Sequence, residues 1–138
     1  MDQQIKDSIA EPIRRFQLPR YAELPAMGLY LEQVAKYISD YLEPLAGVEI
    51  TSSMISNYVK KGIVSNPVKK QYNREQIAGL IFVAVMKTVV AIDDIRLMLS
   101  IQRSTYPTQV AYDYFCMELE NMLQYVFNRK NELEIVGV

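Results

Sequence analysis

A long apolar stretch in the middle of the chain constrains the fold more than any other feature. The stretch runs from Ile77 to Ile92, and its only charged residue is Lys87. Sixteen residues with a lysine among them are too short and too charged to span a bilayer. The stretch therefore predicts a buried helix that runs to about Val90. Because this helix is apolar on nearly all sides, other helices or a second subunit must cover it.

The amino-acid composition indicates one folded domain and excludes most enzyme classes. The chain has 138 residues, half of them apolar, and a net charge of −1, which fits a single domain, residues 1–138, with a real core. It contains no histidine and one cysteine, Cys116. Imidazole bases, histidine metal sites, internal disulfides and multi-cysteine zinc sites are thereby excluded. The five glycines match no phosphate-binding loop. We therefore expect no enzyme activity, no cofactor and no metal.

The charges are divided unevenly along the chain. Residues 50–74, called here the basic segment, contain five cationic side chains and no acid. The residues before and after this segment each carry a net charge of −3. A basic island in an acidic chain is a candidate anion-binding face, with nucleic acid as its commonest partner. A solvated, lysine-rich turn is the alternative interpretation of the same pattern.

The order of predicted elements is mostly helical. A proline-punctuated N-terminal arm, residues 1–27, is expected to tuck Leu18, Tyr21 and Leu24 against the core. A first helix is predicted from about Leu29 to Leu45, and further helices over 73–90, 92–101 and from Pro107 to about Asn128. Asn73 and Gln76 have the spacing of a capping box. Asp93 and Asp94 fit the first turn of the helix that they open, and we interpret them as structural rather than as a metal or catalytic pair.

The basic segment itself predicts a short helix, a turn and a loop. Thr51 or Ser52 can cap a helix over 51–61, and Gly62 permits its left-handed exit. Residues 65–72 are predicted to form a loop or short β-wing whose 68–72 part is extended. Tyr72 is expected to pack this wing against the core.

From Ile50 to Leu99 the chain resembles the DNA-binding domain of the MerR-type regulators. That family has Thr-x-x-x-Leu-x-x-Tyr in its second helix, then glycine and two aliphatic residues; the matching residues here are Thr51, Ile55, Tyr58, Gly62, Ile63 and Val64. Lys70, Tyr72 and Asn73 stand where the family has the end of its wing and the next helix cap. The resemblance implies a winged helix-turn-helix core over residues 28–101, with the wing at 65–72. The C-terminal helix, assigned to residues 107–130 of the domain, is an addition to this core.

Nearly the whole chain also resembles an uncharacterised family of short bacterial proteins, domain of unknown function 1836. Three segments carry this resemblance: residues 18–25, residues 53–60 and residues 69–75. The family implies at most a transcriptional regulator.

These observations lead to a sequence-based hypothesis of a cytoplasmic, homodimeric regulator that binds double-stranded DNA. The N-terminal half of the 51–61 helix would enter the major groove of the DNA, and the cations of the basic segment would bind phosphates. Asn57 is the best base reader, since its amide can pair with adenine, although it also fits a solvated surface amide. The full set of candidate DNA-binding residues is Thr51, Ser52, Ser53, Ser56, Asn57, Lys60, Lys61, Lys69, Lys70 and Arg74.

A protein-interaction module that keeps the helix-turn-helix shape without binding DNA is the alternative hypothesis. The acidic balance of the chain favours it, as do Ser53 and Ser56, which stand where MerR-type regulators often have arginine. The last helix has a broad apolar face that fits either dimerisation, together with the exposed part of the 77–90 helix, or packing within the chain. A small effector in a Tyr- and Met-lined pocket beside this helix is compatible with the sequence, but no residue locates it.

Overall fold

The computed structural model describes the backbone of residues 3–135 and the side chains of residues 4, 5, 8 and 10–127. The described chain is mostly helical and has one small two-stranded sheet. Its elements are, in order, α1 (Gln3–Arg14), a 3₁₀ turn (Tyr21–Glu23), β1 (Leu29–Tyr30), α2 (Leu31–Leu42), α3 (Ser52–Lys60), β2 (Gln71–Tyr72), α4 (Arg74–Met86), α5 (Ile92–Thr105) and α6 (Thr108–Ile135). The all-α class expected from the sequence is confirmed.

Helix α4 is the centre of the core. Ten consecutive residues, 76–85, are buried, and both α5 and α6 pack against the helix. Other helices of the same chain therefore cover this apolar helix. The helix ends at Met86 rather than near Val90, because the amides of Thr88 and Val89 donate to carbonyls three residues back, those of Val85 at 3.3 Å and Met86 at 3.1 Å. The Thr88 hydroxyl also donates to the Val85 carbonyl, at 2.8 Å.

The two short strands join the start of α2 to the start of α4. They pair antiparallel, with Leu29 opposite Tyr72 and Tyr30 opposite Gln71. Since Leu29 and Tyr30 are used in this pairing, α2 begins at Leu31, two residues later than the sequence predicts. It ends at Leu42, before Pro44, which has no amide hydrogen for a further helical bond.

The chain between α1 and β1 lies across the core, as expected. Leu18 and Leu24 are buried, and Tyr21 is partly buried. Helix α6 fixes this segment through its polar side chains: the Tyr112 hydroxyl donates to the Pro19 carbonyl at 2.7 Å, and Asp113 accepts from the Tyr21 amide at 2.8 Å. Hydrogen bonds between residues far apart in the sequence therefore hold this segment against α6.

The last two helices are longer than the sequence predicts. Asp93 and Asp94 do lie in the first turn of α5, but α5 continues to Thr105 instead of ending near Ile101. Helix α6 begins at Thr108, one residue after the predicted start at Pro107, and reaches Ile135 rather than Asn128. Over residues 3–135, none of the helices combines the length and the apolarity needed to cross a membrane.

Candidate nucleic-acid interface

Helix α3 begins and ends as its sequence predicts. Thr51 is the N-cap, and its side-chain oxygen accepts a hydrogen bond from the Met54 amide at 3.2 Å. Gly62 leaves the helix at a φ of +74°, a conformation that disfavours any residue with a Cβ. Of the candidate residues, Thr51 therefore uses its hydroxyl oxygen to start the helix.

The two faces of α3 differ sharply. Ile55 and Tyr58 are buried in the core, and burial raises the pKa of the Tyr58 hydroxyl, which stays neutral. The opposite face is exposed, apart from the partly buried Ser52. In the described structure, its side chains make no hydrogen bond or ion pair within the chain; they are those of Ser53, Ser56, Asn57, Lys60 and Lys61.

The tip of the 65–72 loop is a tight hairpin turn. Val68 and Gln71 exchange two backbone hydrogen bonds, of 3.1 and 2.9 Å. Between them, Lys69 and Lys70 have φ angles of +51° and +66°. Positive φ at both central residues defines a type I′ turn, where Asn-Gly is the usual pair. The prediction that residues 68–72 are extended throughout is therefore wrong at the tip, since the turn reverses the chain there.

All four lysines of this region are available to a ligand. Lys60, Lys61, Lys69 and Lys70 are exposed. Among the described side chains, no carboxylate forms an ion pair with any of them. Their charges are therefore not neutralised by any described carboxylate.

Arg74 has a different environment from the four lysines. Its side chain is partly buried, and it donates to the carbonyls of Leu24 at 2.8 Å and Ala22 at 3.2 Å. Two of its donors thus hold the arm against the start of α4. The sequence analysis groups Arg74 with the phosphate-binding cations on charge alone. Charge does not show which backbone carbonyls a guanidinium group is hydrogen-bonded to.

Three side chains hold α3 and the loop in place through contacts that the sequence did not predict. The amide nitrogen of Gln76 donates to the carbonyls of Asn66 and Ser65, at 2.8 and 3.1 Å. From α5, Arg96 donates to the Lys61 carbonyl at 2.6 Å, and Arg103 donates to the Ile63 carbonyl at 3.2 Å. Gln76 also completes the predicted capping box with Asn73, so one buried amide serves both the helix start and the loop.

Comparison with known proteins places the chain in a family. The sequence profile described as "Domain of unknown function (DUF1836)" matches residues 19–115, well over half of the chain. The chain belongs to this family. The DUF1836 match begins in the arm, spans the basic segment and ends in α6. The chain has no significant match among the curated proteins and none among the solved structures.

Proposed function

We propose that this protein is a DNA-binding regulator of transcription with a winged helix-turn-helix core. In this proposal α2 and α3 are the helix pair, α3 enters the major groove, and the 65–72 loop is the wing. The observation that supports it best is the exposed face of α3, where serine, asparagine and lysine side chains have no partner among the described residues. Short polar side chains without a partner can form hydrogen bonds to base edges. The cations beside them can bind phosphates at the same time.

The candidate DNA-binding residues fall into two groups, those that read bases and those that contact the phosphate backbone. Asn57 reads adenine through its amide, and Ser53 and Ser56 allow close approach to the groove. Lys60 and Lys61 at the end of α3 and the two lysines of the turn bind phosphates without reading sequence. Ser52 and Thr51 contact the backbone at the start of the helix, while Arg74 positions the arm.

The turn supplies a second argument for the wing. A residue with a Cβ in the left-handed region costs about 1–2 kcal/mol, and Lys69 and Lys70 both occupy that region. Such strain is typical of functional sites, where a side chain is needed despite its backbone cost. Phosphate binding by the two lysines at the tip of the wing would account for their strained backbone conformation.

The proposed regulator is a homodimer that pairs through α6. One face of α6 packs in the chain, but the other exposes apolar side chains at helical spacing, called here the α6 stripe: Val110, Tyr114, Met117 and Tyr125. Residues 77–85 of the 77–90 helix are buried within the chain, so its exposed part, which was expected to contribute, lies beyond Val85, at Thr88 and Val89. The occupant of the stripe is a second copy, since four lysines per chain give weak binding at physiological salt and two half-sites double the phosphate contacts.

A salt titration of DNA binding tests the proposal. Affinity for duplex fragments selected from genomic DNA is measured by fluorescence anisotropy across salt concentrations. If the four lysines each neutralise a phosphate, the log–log slope is about −3.6 per subunit. The variant Lys60→Gln with Lys70→Gln makes this slope shallower by about 1.8. Lys36→Gln is the matched control, because Lys36 is exposed on α2 and pairs with Asp40; it leaves the slope unchanged.

The interaction-module alternative predicts a different result. The α6 stripe favours it, because an apolar face can bind a different protein. In that case no genomic fragment is enriched, and any DNA affinity is insensitive to Lys60 and Lys70. Either result overturns the proposed regulator.

A further inference from the structure

The small sheet has an exposed face whose side chains form a row beside the hairpin turn of the 65–72 loop. Gln71 is paired with Tyr30 across the two strands and with Val68 across the turn. Residues directly opposite each other in antiparallel pairing lie on the same face of a sheet. Val68, Gln71 and Tyr30 therefore lie side by side, and they are called here the sheet row. The other face carries Tyr72, which is buried in the core.

The middle residue of the sheet row is held in place, and its two neighbours are exposed. Gln71 donates through Nε2 to the Tyr30 hydroxyl at 3.3 Å. A Cβ at Gly28 would lie 2.7 Å from both Cβ and Oε1 of Gln71, so this side chain fills the space that the glycine leaves. On either side of Gln71, Val68 is 70% exposed and Tyr30 is 51% exposed. The row thus presents hydrophobic surface to solvent from a braced backbone.

Two cations follow Val68 directly in the chain. Lys69 and Lys70 are exposed, and no carboxylate among the described side chains forms an ion pair with them. An apolar side chain beside such charges suits a polyanion with an apolar interior. Duplex DNA has this combination, because its phosphates line grooves whose floors are the edges of stacked bases.

We infer that Val68 is a wedge that inserts from the minor groove between two base pairs of bound DNA. The inference rests on the proposed function, in which α3 occupies the major groove and the 65–72 loop is the wing. The strands on either side of the turn are about 4.8 Å apart and the minor groove is about 6 Å wide, so the groove must open to admit the tip with its side chains. An apolar wedge opens it by partly unstacking one base step and kinking the duplex. Lys69 and Lys70 then bind the phosphates along the groove.

Fluorescence of the adenine analogue 2-aminopurine tests for the unstacked step, because it rises when the base leaves the stack. Duplexes selected from genomic DNA are synthesised with the analogue at one position at a time and titrated with the full chain. The fluorescence is expected to rise only at the positions that flank one base step in each half-site. Fluorescence anisotropy on the same duplexes gives the affinity and its salt slope.

Val68→Thr removes the apolar character of the wedge but keeps its shape and its branched Cβ, so the turn folds as before. The fluorescence rise is expected to disappear, and the affinity to fall by about tenfold, because a hydroxyl replaces a buried methyl group. The salt slope stays unchanged, since both lysines remain. Val68→Ile keeps an apolar wedge and is expected to keep the rise. Leu97→Thr is the control, because Leu97 is an exposed apolar residue of α5, and it changes neither signal.

The wedge also predicts a sequence preference that requires no base contact. Pyrimidine–purine steps unstack easily, whereas A-tracts are stiff. Replacing the unstacked step by an A-tract step is expected to weaken binding of the parent protein by about tenfold. The same replacement changes binding of Val68→Thr little, because that variant does not open the step.

The outcomes separate the wedge from the proposed regulator. DNA binding with a salt slope of about −3.6 per subunit but without a fluorescence rise at any position would overturn the wedge and leave the regulator standing. A rise that persists in Val68→Thr would overturn the wedge as well, because another group would then unstack the step. Failure to bind any fragment would overturn the proposed regulator, and this inference with it.

Discussion

Arg20 and Glu120, one hundred residues apart, form a two-point ion pair between the arm and α6. Nη1 of Arg20 lies 2.7 Å from Oε2, and Nη2 lies 2.8 Å from Oε1. The carboxylate also accepts from the Leu18 amide at 2.9 Å. Its side chain is only 12% exposed, against 35% for Arg20. Glu120 thus satisfies a buried backbone donor as well as a cation, and it is the more important partner of the two.

Removing either partner is expected to destabilise the protein to a different degree. Arg20→Ala costs about 1 kcal/mol of unfolding free energy, since solvent screens a partly exposed pair. Glu120→Ala costs about 2–3 kcal/mol, because it also leaves the Leu18 amide without an acceptor. Urea denaturation at neutral pH measures both. Glu118→Ala is the control: this exposed residue of α6 forms no ion pair with any described side chain, and its loss is expected to change the stability little. Equal costs for the two pair variants would contradict this reasoning.

The stability of the fold is expected to depend on the ionisation of Glu120. Burial raises the pKa of this carboxyl, but the hydrogen bonds from Arg20 and the Leu18 amide outweigh burial, and the net pKa is lowered. A lowered folded-state pKa stabilises the protein above the unfolded value of about 4.3. The stabilisation of the fold by ionised Glu120 is lost as the pH falls through the lower folded-state pKa.

Glu120→Gln provides the measurement, because its amide oxygen still accepts from the Leu18 amide. Urea midpoints are compared with the parent from pH 7 down to pH 3. The difference between the two proteins is expected to be largest at neutral pH and to shrink in acid. A difference that stays constant over this range would show that ionisation of Glu120 contributes nothing.

Sequence reasoning located the elements whose signals are local. The cap at Thr51, the capping box at Asn73 and the left-handed exit at Gly62 depend on residues within one helical turn. The burial of the 77–85 stretch was equally predictable, because no face of that helix is polar.

The remaining features depend on contacts that no local pattern contains. Leu29 and Tyr30 look helical until their pairing with residues 71–72 is known. Arg74 and Arg103 resemble free cations in the sequence, yet each donates to backbone carbonyls far along the chain. The turn at Lys69 and Lys70 was missed because its residues are not the glycine and asparagine that usually announce it.

Replacing the strained turn is expected to change stability and DNA binding in opposite directions. Lys69→Asn with Lys70→Gly installs the preferred type I′ pair and raises the unfolding free energy by roughly 1 kcal/mol. The same change removes two cations, so the salt slope of DNA binding becomes shallower by about 1.8. Thermal denaturation and the anisotropy titration measure the two effects. Lys69→Arg with Lys70→Arg keeps both charges and is the control. A less stable Asn-Gly variant would contradict the turn geometry.

The α6 stripe is expected to hold two chains together. Tyr114→Glu with Met117→Glu places charges on side chains that are 62% and 42% exposed, so the fold of each chain survives while the apolar contact between chains is lost. Sedimentation equilibrium is expected to give twice 15.9 kDa for the parent and 15.9 kDa for the variant. Gln109→Glu adds a charge at an exposed polar position of the same helix and is expected to leave the dimer intact. The monomeric variant also loses most of its DNA affinity, because a single chain offers half of the phosphate contacts. A parent protein that sediments as a monomer at the concentrations where it binds DNA would refute pairing through this stripe.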